Sequence, residues 1–382
     1  MRTELLRVEP ARPDQAALQW AGEVLRQGGL VAFPTETVYG LGADALNPRA
    51  VRRIFAAKGR PADNPLIVHV AEREMLQGLV SGIPAVGRAL MDRFWPGPLT
   101  LVLPKGERVP DEVTAGLPSV GIRMPDHDVA LGLIAAAGVP VAAPSANRSG
   151  RPSPTTAAHV WEDLQGRVEI ILDGGPTGVG VESTVVDVTG SVPVLLRPGG
   201  LPVEEIELVA GRVAVDPALQ GKKVDRPRAP GMKYTHYAPR APLTLVAPGP
   251  GSGPAEVAAA AWRTVRELVA EGPSVPVGLL ALAENLSRHR QTAAAAGLPF
   301  TCCDLAQEPP LQAPPPPAAG ILALEAGPWA QPSRMAVRLF AALRWFDAAG
   351  VKAIVAEGIA PSGLGFAVMN RLRKAASVVM EA

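Results

Sequence analysis

Gly29-Leu30-Val31-Ala32-Phe33 is an apolar run that stops at Pro34 and passes directly into Thr35-Glu36-Thr37-Val38-Tyr39-Gly40-Leu41-Gly42. A short apolar run bounded by glycine and proline reads as a buried strand. The polar, glycine-containing stretch after it reads as a loop that turns closely around a ligand, or simply as a strand-to-helix turn. Similar runs recur at residues 66–70, 99–103, 120–124, 139–143, 168–172 and 184–188. Helical periodicity fills residues 15–26, 48–57, 84–94, 129–137 and 155–164 between them. Strands alternating with helices predict an α/β domain built on a partly parallel sheet.

At 382 residues the chain exceeds the usual size of one hydrophobic core, so two domains are expected. Near residue 210 the pattern gives way to a proline-punctuated connection, Asp225-Arg226-Pro227-Arg228-Ala229-Pro230-Gly231-Met232-Lys233-Tyr234-Thr235-His236-Tyr237-Ala238-Pro239. Beyond it, residues 243–247, 275–282 and 352–355 read as strands and 255–270, 333–348 and 364–376 as helices, a second and smaller α/β domain. The expected division is 1–210, a linker at 211–240, and 241–382. The proline tract at 309–317 reads as a stiff surface loop.

Lys and Arg number 37 against 36 Asp and Glu, a formal charge of +1, so any basic site must be local. The first ten residues lack a secretory pattern, and no stretch approaches the roughly 18 apolar residues of a spanning helix. The two cysteines, Cys302 and Cys303, are adjacent and too few for a disulfide framework or a four-ligand zinc site. A cytoplasmic protein without membrane association is the expectation.

Seven polar segments carry candidate chemistry. Thr37 lies in the loop after the first strand, which has neither the Lys-Ser/Thr ending of a P-loop nor the spacing of a dinucleotide fingerprint. Lys58-Gly59-Arg60 with Asn64 offers a mobile point charge and a planar fork, suited to a polyphosphate, although a lysine at a helix end also answers the helix dipole. His69 stands in an apolar strand, where a hydrogen-bonded core histidine is the ordinary finding. Arg123, in Ser119-Val120-Gly121-Ile122-Arg123, requires a carboxylate, either a protein Asp or Glu or that of an amino-acid substrate. Ser145-Ala146-Asn147 and Ser153 form a hydroxyl-rich loop before a helix. Glu182-Ser183-Thr184 opens another strand, and Arg197-Pro198-Gly199-Gly200 closes the domain with one more cation.

The order of these segments, from Phe33-Pro34-Thr35-Glu36-Thr37-Val38-Tyr39-Gly40-Leu41-Gly42 through Lys58-Gly59-Arg60-Pro61, Asn64-Pro65-Leu66-Ile67-Val68-His69, Ser145-Ala146-Asn147 and Glu182-Ser183-Thr184 to Arg197-Pro198-Gly199, resembles the Sua5/YrdC/YciO family in its Sua5-type form. Pro230-Gly231-Met232, His236-Tyr237-Ala238-Pro239 and the segment from Gly363 to Leu372 resemble that form's linker and second domain. The resemblance implies a YrdC-like twisted mixed sheet followed by a Rossmann-like domain. It also implies synthesis of L-threonylcarbamoyladenylate and pyrophosphate from L-threonine, bicarbonate and ATP with Mg2+. The product would pass to downstream proteins for t6A modification of tRNA, with which contact is indirect.

Carried over by motif, Thr37, His69, Arg123, Ala143 and Ser183 would hold threonine, and Lys58, Arg60, Asn64, Ser119, Ser145, Asn147, Ser153, Arg197 and Tyr237 the nucleotide. Lys58 and Arg60 would be catalytic, no residue would ligate metal directly, and Tyr237 would cover the pocket as a lid. Thr235 departs from the basic residue expected beside His236. Two other readings stand beside this one. An RNA-binding module predicts salt-dependent affinity and no turnover. Carbamoyl transfer from carbamoyl phosphate predicts zinc-finger cysteines and an acylphosphatase-like segment, which this sequence lacks.

Overall fold

Capping residues set the helix ends. Asp14 accepts the amide of Ala16 to open the helix Gln15–Arg26, and Asn47 accepts those of Arg49 and Ala50 at the start of Pro48–Lys58, whose proline sits at the first turn. Gly59 closes the latter at φ 62°, a left-handed position that favours glycine. The computed structural model describes residues 1–220, 228, 237–271, 276–303, 305 and 320–382. The chain divides into two units, Met1–Ser149 with Ser153–Tyr234, and Gly150–Pro152 with Thr235–Ala382.

In the first unit the described residues form an 11-stranded mixed sheet in the order Glu4–Arg7, Ile170–Asp173, Val31–Phe33, Gly40–Asp44, Val141–Ala142, Ile67–His69, Ser119–Arg123, Leu99–Pro104, Thr184–Asp187, Val194–Arg197, Ala214–Val215. The helices Gln15–Arg26 and Asp128–Ala137 bury Leu18, Leu25, Leu133 and Ile134 against Val31, Phe33, Val141 and Leu172, which makes the main core. Each fully buried Leu or Ile there contributes roughly 1.5–3 kcal/mol. Ala214–Val215 runs parallel to Val194–Leu195 and carries this sheet beyond residue 210.

The stretch from Phe33 to Gly42 corrects one expectation. It makes no strand-to-helix turn; Gly40–Asp44 returns as a strand antiparallel to Val31–Phe33. The glycines serve packing between strands, because a Cβ on Gly42 would lie 2.8 Å from Val141 Cγ1 and 2.9 Å from Phe33 Cε1.

The second unit holds a six-stranded parallel sheet in the order Phe300–Cys303, Gly320–Gly327, Pro276–Leu282, Ala353–Glu357, Leu243–Ala247, Val378–Glu381. Pro254–Glu271, Pro332–Ala349 and Leu364–Ala375 are its long helices. Val257, Ala261 and Val265 pack on Leu279, Ile321 and Val355. Tyr237 belongs to this unit: its ring stacks on Phe340 at 5.2 Å and Arg371 lies 5.5 Å above it. Of the linker, Arg228 is described on the first unit, paired with Asp187 at 2.9 Å and with Asp216. Thr235, His236 and the tract 309–317 lie outside the described residues.

Candidate active site

The parallel register pairs His69 with Arg123 at the carboxyl ends of Ile67–His69 and Ser119–Arg123. Arg123 is 4% exposed. Its Nε donates to Gly97 O at 3.2 Å and its Nη1 to Thr37 Oγ1 at 2.8 Å. Its Nη2 forms an ion pair with Glu36, so the carboxylate that an arginine in an apolar strand demands is a protein one in this state. Thr37 is fixed from behind by Thr35 Oγ1 at 2.8 Å. Glu36 lies inside the quoted motif but carried no role in the sequence reading; Arg123's need for a counter-charge was the signal for it.

His69, edge-on to Phe33 at 6.3 Å, is held neutral. Burial, then the charge of Arg123, pushes its pKa down to about 3. The unfolded side chain, near 6.5, therefore binds a proton that the folded one refuses, so stability is full above about pH 6.5 and lost as pH falls toward 3. Between pH 7 and pH 4 the wild type is expected to lose more unfolding free energy than His69→Gln, by up to about 1.4 kcal/mol per pH unit through the titrating window. Urea titrations across that range check it, and equal slopes would refute it.

Lys58 does not stand solvated at a helix end. It is 2% exposed, and its Nζ reaches the carbonyls of Ser145 and Asn147, bridging two loops separated by more than eighty residues. Ser145 Oγ donates to Asn147 Oδ1 at 2.5 Å, and Ser149 N returns to Lys58 O at 2.9 Å. Arg60 is half-buried and donates to the carbonyls of Asn64 and Pro65 at 3.3 and 3.1 Å, while Asn64 Oδ1 is buried with no hydrogen-bond donor among the described residues. On the other flank Ser183 Oγ lies 2.8 Å from Thr100 Oγ1 and accepts from Arg197 Nη2 at 3.2 Å. Ser153 Oγ donates to Glu182 Oε1 at 2.6 Å.

Backbone bonds tie these groups together. Ala146 N donates to Tyr39 O, Tyr39 N to Pro154 O, Gly180 N to Thr37 O, and Thr184 N to Pro98 O beside Gly97. Ala143 is buried next to this junction, its Cβ 3.4 Å from where a Cβ on Gly40 would stand. Ser119 is set apart, four residues before Arg123 and thus roughly 13 Å along the strand. It lines a small cavity with Thr100, Thr114 and Gly121. Thr100 and Glu182 are the further polar members that sequence reasoning did not single out.

Cations set among hydroxyls and carbonyls on the loops of an α/β sheet are the chemistry that an anionic small molecule would need. More specifically, a family model described as telomere recombination (Sua5, YciO, YrdC) matches residues 23–199, and one described as threonylcarbamoyl-AMP synthase, C-terminal domain, matches 201–377. A threonylcarbamoyl-AMP synthase of Pyrococcus abyssi is 48% identical over 95% of this chain and 95% of its own. One from Bacillus subtilis is 45% identical over 93% and 92%. The crystal structure of P. abyssi Sua5 complexed with L-threonine matches 100% of both chains at 46% identity and a TM-score of 0.80. The chain belongs to the Sua5/YrdC/YciO family, in the two-domain form that carries the Sua5 C-terminal domain.

Proposed function

We propose that this chain is a threonylcarbamoyl-AMP synthase, joining L-threonine, bicarbonate and ATP into L-threonylcarbamoyladenylate with release of pyrophosphate. The observation that carries the reading is the linkage of six segments of the chain into one hydrogen-bonded cluster in the first unit. Arg123 and Thr37, with His69, Ser183 and Ala143, receive threonine, the guanidinium facing its carboxylate. Lys58, Arg60, Asn64, Ser145, Asn147, Ser153 and Arg197 receive the nucleotide, with Ser119 as an outlying contact.

Threonine's amine, deprotonated, adds to CO2 with loss of a further proton, or condenses with bicarbonate with loss of water, to give a carbamate. A carbamate oxygen then attacks the α-phosphorus as the bond to pyrophosphate breaks. No protein nucleophile is needed; this chain's residues align the reactants and neutralise charge on the phosphates. Among the described residues no group of three or more His, Cys, Asp or Glu is gathered to hold a metal. Mg2+ would accompany ATP and supply charge neutralisation at its phosphates. Transfer of the adenylate to a tRNA-modifying partner, in the cytoplasm, completes the proposal; no described helix is long and apolar enough to cross a membrane.

Purified protein incubated with the three substrates is expected to release pyrophosphate and yield an adenylate of the corresponding mass. Adenylate formation that persists without threonine would sink the reading. Arg60→Ala is expected to lower turnover about a hundredfold, the scale of one charge-stabilising donor. Its thermal midpoint is expected to move little, since the carbonyls of Asn64 and Pro65 that Arg60 meets lie within its own loop. A large fall in that midpoint would make Arg60 a structural residue instead.

A further inference from the structure

Glu36 sits in the amino-acid subsite as a second carboxylate, and its attachment there is unusual. Its backbone is pinned, because Val179 N donates to Glu36 O at 2.8 Å and Thr35 Oγ1 closes the same turn onto Val38 O at 2.7 Å. Its side chain, 13% exposed, is ion-paired with Arg123, and its charge also reaches His127. Among the described residues neither of its buried carboxylate oxygens has a well-directed hydrogen-bond donor. Arg123, by contrast, keeps Gly97 O and Thr37 Oγ1 whatever Glu36 does. A rotamer change in one side chain is therefore enough to free the outer face of the guanidinium, with no movement of the loop.

We propose that Glu36 is a stand-in for the substrate carboxylate and the residue that selects zwitterionic amino acids over simple carboxylic acids, an inference that rests on Arg123 being the threonine subsite. In the empty site the Glu36 carboxylate neutralises a cation that would otherwise be buried alone. When threonine arrives, its carboxylate takes the guanidinium and its ammonium takes the displaced Glu36, so two ion pairs replace one and no charge is left unmatched. A ligand with the same carboxylate and hydroxyl but no amine forces Glu36 off Arg123 and gives it nothing in return. An uncompensated carboxylate in this buried position is costly, and such a ligand is rejected. Specificity here comes from a repulsive element built into the apo site.

The test uses the full chain and two probes, L-threonine and β-hydroxybutyrate, which is threonine without its amine, each titrated calorimetrically into the wild type, Glu36→Gln and Arg123→Ala. In Glu36→Gln the neutral amide leaves Arg123 without stranding a charge. β-Hydroxybutyrate is therefore expected to bind at least tenfold tighter than to the wild type, while threonine, deprived of a partner for its ammonium, weakens. The preference for threonine should collapse about a hundredfold. Glu36→Ala should shift the preference the same way, so either folded variant decides.

An unchanged preference, or equal weakening of both probes, overturns the proposal and leaves Glu36 as a structural counter-ion. Threonine binding that survives Arg123→Ala overturns the subsite itself, and the proposal with it. Loss of threonine in Arg123→Ala alongside an unchanged preference in Glu36→Gln sinks this inference alone.

Discussion

Arg123→Ala is expected to cut kcat/KM for threonine about a thousandfold, roughly 4 kcal/mol of transition-state stabilisation, while ATP affinity changes by less than about threefold. The expectation follows from what the side chain does. Buried at 4% exposure, it places a planar fork where Thr37, Gly97 and a carboxylate all meet it. A charge-assisted, two-pronged contact fixes the direction of an amino acid as well as its presence, and misplacing the amine that becomes the carbamate costs rate directly. Arg123→Lys should recover only a small part, since a point charge cannot serve three acceptors in fixed directions. The substitution also strands Glu36, so a lower thermal midpoint is expected of the single variant and a partial recovery of the double variant with Glu36→Gln. Initial rates with varied threonine at saturating ATP, and calorimetric titration with ATP, check both halves. A kcat/KM within tenfold of wild type would remove Arg123 from the amino-acid subsite.

Much of the first unit was legible because local chemistry and tertiary demand agree there. The helix at 15–26 emerges with those bounds, since Asp14 caps it and its apolar face is continuous. Strands recognised as apolar runs emerge within two residues at each end for Val31–Phe33, Ile67–His69 and Leu99–Pro104. Gly40–Asp44 was not legible as a strand, because glycines weaken the pattern and their purpose, the close approach of Phe33 and Val141, depends in part on a residue about a hundred positions away. Gly320–Gly327 and Val378–Glu381 were missed for different reasons. The first emerges from the proline-rich side of the chain, and the second is an exposed edge strand with no buried face to give it a period.

The same division holds at the site. Which residues carry charge and hydroxyls could be read from the strand ends. That Lys58 is buried between Ser145 and Asn147 could not, since a lysine after an amphipathic helix ordinarily faces water and only the crossing of a distant loop buries it. The demand of Arg123 for a carboxylate was readable, and the register that lays it beside His69 and opposite Glu36 was not.

In the second unit the largest expected effect comes from a group that faces no substrate. Glu357, fully buried, ends the strand Ala353–Glu357. One of its oxygens accepts from Leu282 N at 2.7 Å and Asn285 Nδ2 at 2.9 Å, and the other meets His289 Nε2 at 2.7 Å. A single carboxylate thus joins the ends of two adjacent parallel strands to the start of the helix Leu286–Ala295. Asn285 and His289 are themselves 4% and 1% exposed, so water cannot replace a lost acceptor. Glu357→Ala takes the acceptor from the Leu282 amide and from His289 Nε2, leaves Asn285 Nδ2 with only the Pro254 carbonyl among its described acceptors, and opens a cavity, and is expected to destabilise this unit by about 3–5 kcal/mol. Glu357→Gln retains one acceptor oxygen but turns its amide toward another donor, so it should cost less, about 1–3 kcal/mol. Because two units need not unfold together, a single midpoint is a poor readout. Hydrogen exchange at the Leu282 amide reports on this junction alone, and its protection should fall by at least a hundredfold in Glu357→Ala. Protection within threefold of wild type would show that the carboxylate is replaceable and that the strand ends are held by packing instead.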